Sequence, residues 1–256
     1  MIITLEHIVV FLLIFARLAG VITLAPFFSD RRIMFSIKVA LLFWLAGLLI
    51  FIVPLPAVTP EKLIIVFMAT MIEFTIGVAI GFVADLLLSG IEFAGGLMDT
   101  QAGLSVASLL DPSSGINAAL FQQFLKWIVL ILFILLDGHH MILSATVNSF
   151  NILPIANPVN ISDGAWYLVS LGKDIFQVAV ILSAPILLVI FIVDFSFGIL
   201  NRVAEQINVF QLGFQIKPIV ALIIFLGIIP SLMGIIINLV EVVIENVLHL
   251  LGVLKI

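Results

Sequence analysis

Residues 39–45 read Val-Ala-Leu-Leu-Phe-Trp-Leu, a run that distinguishes between the two kinds of fold able to cross a membrane. A transmembrane β-strand alternates apolar and polar side chains with a period of two over about 10 residues. This run does not alternate. Because lipid offers no partners to backbone N–H and C=O groups, apolar segments of this kind form α-helices. The sequence therefore predicts an all-α integral membrane protein of long, kinked helices and helical hairpins.

The composition of the whole chain supports this fold class. Of 256 residues, 64% are apolar and 10% are charged, and the mean hydropathy is +1.41. Ordinary soluble domains are about 45–50% apolar and about 25% charged, so a cytosolic enzyme and a disordered regulator are excluded. The chain has no cysteine, which excludes thiol catalysis, disulfides and thiolate metal sites. No basic patch indicates nucleic acid, and no Lys or Arg precedes Arg17, so we expect the first apolar segment to remain as a transmembrane helix.

Turn-forming residues divide the chain into apolar segments. At about 20 residues for each span, the length allows at most about seven or eight helices. Polar or proline-rich loops are predicted at residues 26–32, 53–60, 111–115, 154–164 and 201–217. The predicted helical segments are 5–26, 36–54, 62–89, 91–109, 118–136, 138–153, 166–200 and 214–250.

Charged residues interrupt most of these segments. Each costs about 2.5–3.5 kcal/mol at the centre of a membrane helix, and such residues usually face protein or water. Three stretches, 39–60, 175–193 and 218–240, come close to a charge-free span. We therefore expect much of the apolar surface to contact protein rather than lipid. The charged residues within or at the ends of apolar stretches are Arg17, Glu73, Asp85, Asp99, Lys126, Asp194 and Arg202.

A polar stripe is predicted from Asp85, Glu92 and Asp99, which are spaced by seven and share one helical face. One interpretation is a carboxylate ladder that conducts protons or cations in a secondary transporter. The other interpretation is a helical face that lies toward a polar lumen or a basic partner. We prefer it because no internal set of Lys or Arg matches the carboxylates. Gly77 and Gly81 on the same segment form a small-residue notch for close helix approach.

Residues 137–140, Asp-Gly-His-His, have the residue types of a metal site or proton relay. No HExxH or HxxxH spacing accompanies them, so a hydrogen-bonding cluster at a helix end is the preferred interpretation, and no metal is predicted. Ser105 with His139 or His140 as a base would make an intramembrane hydrolase, yet Val106 stands where the rhomboid motif has glycine after its serine.

Two further segments each have two possible interpretations. Residues 95–115 are apolar but rich in small residues, and form either a flexible constriction in a channel or a re-entrant loop that fills space. Near residues 201–217, a polar stripe lines either a channel mouth or a solvated hairpin tip. Its members are Asn201, Glu205, Asn208, Gln211 and Gln215.

Taken together, these motifs resemble the FliR family of flagellar biosynthesis proteins, which are export-gate components of type III secretion. The resemblance runs nearly end to end, and its most specific parts are the Gln-Ala-Gly-Leu-Ser of residues 101–105 and the Asp-Gly-His-His of 137–140. Further matching residues are Arg17, Thr23-Leu24-Ala25-Pro26, Ser29-Asp30-Arg31, Asp111-Pro112, Leu153-Pro154-Ile155, Ala184-Pro185, residues 198–202, residues 206–210 and Gly213-Phe214. One departure is Glu205, where the family usually has proline.

The resemblance implies a helical export gate in which this chain assembles with FliP and FliQ subunits and contacts FlhB and FlhA. The gate lies in the bacterial inner membrane within the flagellar basal body, and unfolded flagellar proteins pass through it. The resemblance implies no catalytic residue and no cofactor. Residues 1–165 would be FliP-like and residues 166–256 a FliQ-like hairpin.

The resemblance also implies two functional regions. The plug loop, near residues 101–115, would be formed by Gln101, Gly103, Leu104, Ser105, Val106, Leu109, Leu110, Asp111, Pro112 and Gly115. The cytoplasmic mouth would be formed by Asn201, Arg202, Glu205, Gln206, Asn208, Gln211, Gln215 and Lys217.

Overall fold

The chain folds into long helices joined by short turns. The computed structural model describes residues 5–30, 32–54, 62–105, 119–204, 206 and 208–255. No strand occurs in these ranges, and Val159 and Lys255 form an isolated antiparallel bridge. The predicted all-α class is therefore confirmed. The helices are α1 (Leu5–Leu24), α2 (Phe35–Leu49), α3 (Leu63–Gln101), α4 (Leu120–Leu135), α5 (Gly138–Ile152), α6 (Ile161–Val203) and α7 (Val209–Leu254).

Within the described ranges, four helices are long and apolar enough to cross a membrane. They are α1, α3, α6 and α7, and the pair α4 and α5, bent by 64°, would make a fifth if it forms one broken span. Helix α2 has 15 residues, fewer than the roughly 20 that a span needs. The chain is thus a helical membrane protein, with fewer candidate spans than its length alone allows.

Three predicted boundaries are wrong, all because long helices continue through residues that often end them. Helix α3 runs for 39 residues without the expected break between residues 89 and 91. Helix α6 begins at Ile161, and the expected loop at 201–217 is helical over residues 201–203 and 209–217. Helices α6 and α7 also continue through Pro185, Pro218 and Pro230, as membrane helices tolerate proline better than soluble ones.

The first residues of α6 and α7 show how two of these helices begin. Asn160 precedes α6, and its side-chain oxygen accepts a hydrogen bond from the N–H of Asp163 at 3.2 Å. Asn208 precedes α7 and accepts from the N–H of Gln211 at 3.2 Å. Asparagine at this position satisfies an N–H group that the helix itself leaves unpaired. The two asparagines therefore set where α6 and α7 start.

The chain divides into two compact units, each built from separate stretches of sequence. Unit 1 comprises Met1–Leu87, Phe133–Gly172 and Val240–Ile256, and unit 2 comprises Leu88–Leu132 and Lys173–Leu239. In unit 2, the ring of the buried Phe225 contacts those of the buried Phe121 and the exposed Phe124, at centroid separations of 4.9 and 5.6 Å.

In unit 1, glycines allow α1 and α3 to touch backbone to backbone. A Cβ atom on Gly77 would overlap the carbonyl oxygen of Arg17, and one on Gly81 would lie 2.7 Å from the carbonyl oxygen of Val21. Gly20 on α1 is equally restricted by the backbone of Phe74. The notch predicted at Gly77 and Gly81 is therefore a real close approach of two helices, of the kind that small residues permit in membranes.

An ion pair lies at the centre of unit 1, where α1, α3 and α5 meet. Arg17 is fully buried, and its Nε donates to Oε2 of Glu73 at 2.6 Å. The guanidinium group also donates to the Ser149 hydroxyl and to the Leu153 carbonyl, each at 3.0 Å. It lies 4.1 Å from the centre of the Phe150 ring, close enough for a cation–π interaction.

The carboxylate of Glu73 completes this network. Its second oxygen accepts a hydrogen bond from the backbone N–H of Ala156 at 3.1 Å. The network thus fixes the turn at residues 153–156 against α1 and α3. Arg17 and Leu153-Pro154-Ile155, two of the matching motifs noted above, are in direct contact here although 136 positions separate Arg17 from Leu153.

Candidate functional site

The first part of the predicted plug loop is a tight turn that ends α3 in unit 2. The N–H of Gly103 donates to the carbonyl of Thr100 at 3.1 Å, and the N–H of Leu104 donates to the carbonyl of Asp99 at 3.0 Å. Gly103 has φ +78°. These features define a Schellman motif, in which glycine takes the left-handed conformation that other residues adopt at a cost. Gly103 therefore ends the helix.

The remaining plug residues divide between helix, turn and undescribed positions. Gln101 is the last residue of α3, and Leu104 and Ser105 follow the turn in half-buried positions. A Cβ on Gly103 would lie 3.6 Å from Cδ1 of Phe214, so the turn packs on the ring of that residue. The other predicted plug residues, Val106, Leu109, Leu110, Asp111, Pro112 and Gly115, lie outside the described residues.

Asp99 joins the end of α3 to the beginning of α4. Its side chain is buried, and its two carboxylate oxygens accept hydrogen bonds from the N–H groups of Phe121 and Gln122, both at 2.9 Å. The first N–H groups of a helix lack partners within the helix and favour a negative charge. A Cβ on Gly95 would overlap the backbone of Gln122, so this close approach requires glycine.

The other members of the polar stripe differ from Asp99. Glu92 pairs with Lys126 of α4 at 3.2 Å, and 30% of the Glu92 side chain is exposed. Asp85 is half-buried. The expectation that no internal basic residue matches the stripe is wrong for Glu92, because Lys126 lies 34 positions away and becomes its neighbour only when α3 and α4 pack together. In unit 2 these contacts describe a packed face rather than an open ladder of carboxylates.

Three of the predicted mouth residues line a cavity in unit 2. It has a volume of about 450 Å³, and its lining includes Gly103, Asn201, Asn208, Phe214 and Lys217. Lys217 forms an ion pair with Asp194, which also lines the cavity. The structure therefore brings the beginning of the plug loop and part of the mouth to one place.

Other mouth residues do not line this cavity. Arg202 lies in the last turn of α6, and Gln206 lies in the connection to α7; both are exposed. Gln211 and Gln215 are exposed positions of α7, and Glu205 lies outside the described residues. Sequence reasoning noted Asp194 as an embedded charge but did not pair it with Lys217, since sequence spacing alone does not show which residues face each other across a hairpin.

The turn between α4 and α5 in unit 1 contains residues 137–140. Asp137 has φ 55° and makes no side-chain hydrogen bond to the end of α5. Its carboxylate lies 3.8 Å from Nδ1 of His140, and the buried Nδ1 of His139 has no hydrogen-bond partner among the residues that the structure describes. The predicted hydrogen-bonding cluster is therefore wrong in these two respects. The ligand atoms of Asp137, His139 and His140 lie within 4.8 Å of one another, close enough to hold a metal ion.

Comparison with known proteins identifies the family. A family model for bacterial export proteins, family 1, matches residues 8–243. The chain belongs to this family. As a bacterial export protein it is similar to the flagellar biosynthetic protein FliR of Pectobacterium carotovorum subsp. carotovorum, with 33% identity over 207 residues, 79% of this chain and 77% of the relative.

Two further relatives of this export protein are informative. The flagellar biosynthetic protein FliR of Bacillus subtilis (strain 168) is 26% identical over 252 residues, 95% of this chain and 96% of the relative. The surface presentation of antigens protein SpaR of Shigella flexneri is 28% identical over 232 residues, 86% of each chain. The resemblance to the FliR family is confirmed. The chain is a component of a type III secretion export apparatus and not an enzyme, so the hydrolase interpretation of Ser105 is abandoned.

Proposed function

We propose that this export protein is a subunit of the flagellar export gate in the bacterial inner membrane, within the flagellar basal body. With FliP and FliQ subunits it forms the conduit for unfolded flagellar proteins, and it contributes the plug loop. The observation that carries the proposal is the match to a FliR protein over 95% of this chain and 96% of that relative. Two chains that align over nearly their whole lengths are expected to share one architecture and one role.

Exposed apolar surface supports assembly with other membrane subunits. On the part of α6 that lies in unit 2, Leu188, Phe191 and Phe195 have 64%, 68% and 64% of their surfaces exposed. Large contiguous apolar surfaces of this kind mark contacts with protein or membrane. FliP and FliQ subunits cover part of this surface in the gate, with FlhB and FlhA as further neighbours. The division into a FliP-like part, 1–165, and a FliQ-like part, 166–256, belongs to the same proposal.

Contacts where α3 ends and α4 begins support the plug assignment. Gly103 ends α3 in a defined turn, and Asp99 bonds to the first N–H groups of α4. The end of α3 and the beginning of α4 therefore lie side by side, which is the arrangement that a plug loop between them requires. The apolar residues Leu104, Val106, Leu109 and Leu110 seal the closed conduit against small solutes, and the mouth residues form its cytoplasmic entrance.

The alternative function, a proton- or cation-coupled secondary transporter, would require Asp85, Glu92 and Asp99 to exchange ions. Glu92 is paired with Lys126, and both oxygens of Asp99 are occupied by backbone donors. These contacts favour a structural role for the stripe, and therefore favour the export gate.

Deletion of residues 104–112 in the assembled gate tests the plug. We expect the closed gate to leak ions, measured as loss of membrane potential in cells or of an ion gradient in proteoliposomes. Replacing the same nine residues by a Gly-Ser linker of equal length should also cause a leak, since the apolar seal is lost while the length is kept.

The control is Glu92→Gln, which should leave the closed gate tight. If the deletion leaves permeability unchanged while FliP and FliQ subunits still co-purify, the plug assignment is wrong. If Glu92→Gln instead abolishes a proton-coupled flux carried by the chain alone, the transporter function is correct.

A further inference from the structure

The turn between α4 and α5 gathers three side chains to which the proposed gate assigns no role. One ligand atom from each of Asp137, His139 and His140 lies within 4.8 Å of the others. The two imidazole rings have centroids 4.3 Å apart. The side chains of Asp137 and His140 are each 72% exposed, so both can rotate toward a common point without disturbing the interior.

The backbone beneath these side chains is fixed. Gly138 is buried against Phe133, whose ring and carbonyl leave no room for a Cβ at this position. The N–H of Asp137 donates to the carbonyl of Ile134 at 3.1 Å, and the Asp137 carbonyl accepts from the N–H of Met141 at 3.0 Å. Three potential ligands are therefore held on a short, rigid turn, which lowers the entropy lost when they converge on one ion.

Two polar groups in this turn lack the partners that a purely structural role would supply. Nδ1 of His139 is buried and has no hydrogen-bond partner in the described part of the chain, although buried polar atoms are nearly always paired. Asp137 occupies the position before α5, where a carboxylate commonly accepts from the helix, yet its side chain makes no such bond. Its carboxylate is directed instead toward His140, at 3.8 Å.

We propose that Asp137, His139 and His140 bind a divalent transition-metal ion. Two imidazoles and one carboxylate suit Zn²⁺, Co²⁺, Ni²⁺ or Cu²⁺, whereas Mg²⁺ and Ca²⁺ prefer oxygen ligands. Three protein ligands leave at least one coordination position open. A cavity of about 340 Å³ beside His140, lined also by Ser144 and Asn148, has room for water or another ligand at that position.

The metal would bind where the helical pair α4 and α5 bends by 64°. A bound ion links Asp137, which precedes α5, to two residues in its first turn. It thereby stabilises this bend, and this effect is separate from the plug and mouth of the proposed gate.

The test uses the full-length protein, purified in detergent with a tag that contains no histidine. Addition of Co²⁺ alone should give visible d–d absorption that saturates near one ion for each chain. Competition with Zn²⁺ should abolish the absorption. His140→Ala and Asp137→Asn should each weaken binding more than about tenfold, because loss of even an outer-shell partner costs a site about that much.

Both variants are expected to fold, since the two side chains are largely exposed and asparagine tolerates the left-handed conformation of Asp137. His249→Ala is the matched control, because His249 is an exposed histidine in another helix, α7. It should bind Co²⁺ as the unaltered protein does. Absence of saturable binding, or equal binding by His140→Ala and the unaltered protein, would overturn the proposal.

Discussion

Among the charged pairs that connect helices in the described part of the chain, one in unit 1 and one in unit 2 differ in exposure. In unit 1, the side chains of Arg17 and Glu73 are 0% and 2% exposed. In unit 2, the side chains of Lys126 and Glu92 are 42% and 30% exposed. Both pairs contain charged residues that interrupt apolar segments of the sequence. Because the pairs differ in burial, we expect them to contribute differently to the free energy of unfolding.

The two pairs also differ in their other contacts, because the buried pair makes additional hydrogen bonds to neighbouring residues. Arg17 and Glu73 use their remaining polar atoms on Ser149, Leu153 and Ala156. Removing one partner of such a pair leaves an uncompensated buried charge. The Lys126–Glu92 pair is partly hydrated, and pairs of this kind contribute little. An embedded charge therefore indicates neither function nor stability until its partners are known.

Glu73→Gln should produce the largest loss of stability. It leaves the Arg17 guanidinium buried without a counter-charge, at a cost of about 3–5 kcal/mol in the free energy of unfolding. SDS titration from mixed micelles, followed by circular dichroism, measures the loss. In a double-mutant cycle with Arg17→Met, the combined loss should be well below the sum of the two single losses, and strictly additive losses would show that the pair is not coupled.

Asp99→Ala should have an intermediate effect in unit 2. It removes two charge-assisted hydrogen bonds to the N–H groups of Phe121 and Gln122, and we expect a loss of about 2–3 kcal/mol. Asp99→Asn retains an acceptor and should lose about half as much by the same titration. The neighbouring Thr100→Ala is the control, since Thr100 is exposed and its hydroxyl donates to the carbonyl of Gly96 in the same helix. Equal stability of Asp99→Ala and Thr100→Ala would contradict the connection between α3 and α4.

Lys126→Met should have the smallest effect. The pair with Glu92 is partly exposed, so its loss should change the free energy of unfolding by less than about 1 kcal/mol. A loss comparable to that of Glu73→Gln would remove the distinction between the two pairs.

Much of the helical framework could be predicted from the sequence. Apolar runs that do not alternate with polar residues form helices in lipid. The all-α class and the positions of helices α4 and α5 could therefore be predicted from hydropathy. The Gly77 and Gly81 notch could also be predicted, because small residues at this spacing allow close approach. The sequence predicts a break near Gly90, which lies inside α3, and a loop over residues 201–217, although α6 continues to Val203 and α7 begins at Val209.

The candidate sites depend on contacts between residues distant in sequence, and these were harder to predict. The partners of Asp99 are backbone N–H groups 22 and 23 positions away, which no residue type reveals. Lys126 was recognised as an embedded charge but not as the partner of Glu92. The sequence of positions 137–140 favours a hydrogen-bonding cluster over a metal site, whereas the structure places one ligand atom from each of Asp137, His139 and His140 within 4.8 Å of the others.

The central claim is that this export protein is a subunit of the flagellar gate. Purification of the tagged full-length chain from a membrane that also produces its FliP and FliQ subunits tests it most directly. The account predicts one stable complex that contains all three kinds of subunit, and that retains them after Lys126→Met. Recovery of the folded chain without either partner, under conditions in which FliP and FliQ subunits are present and folded, would contradict it.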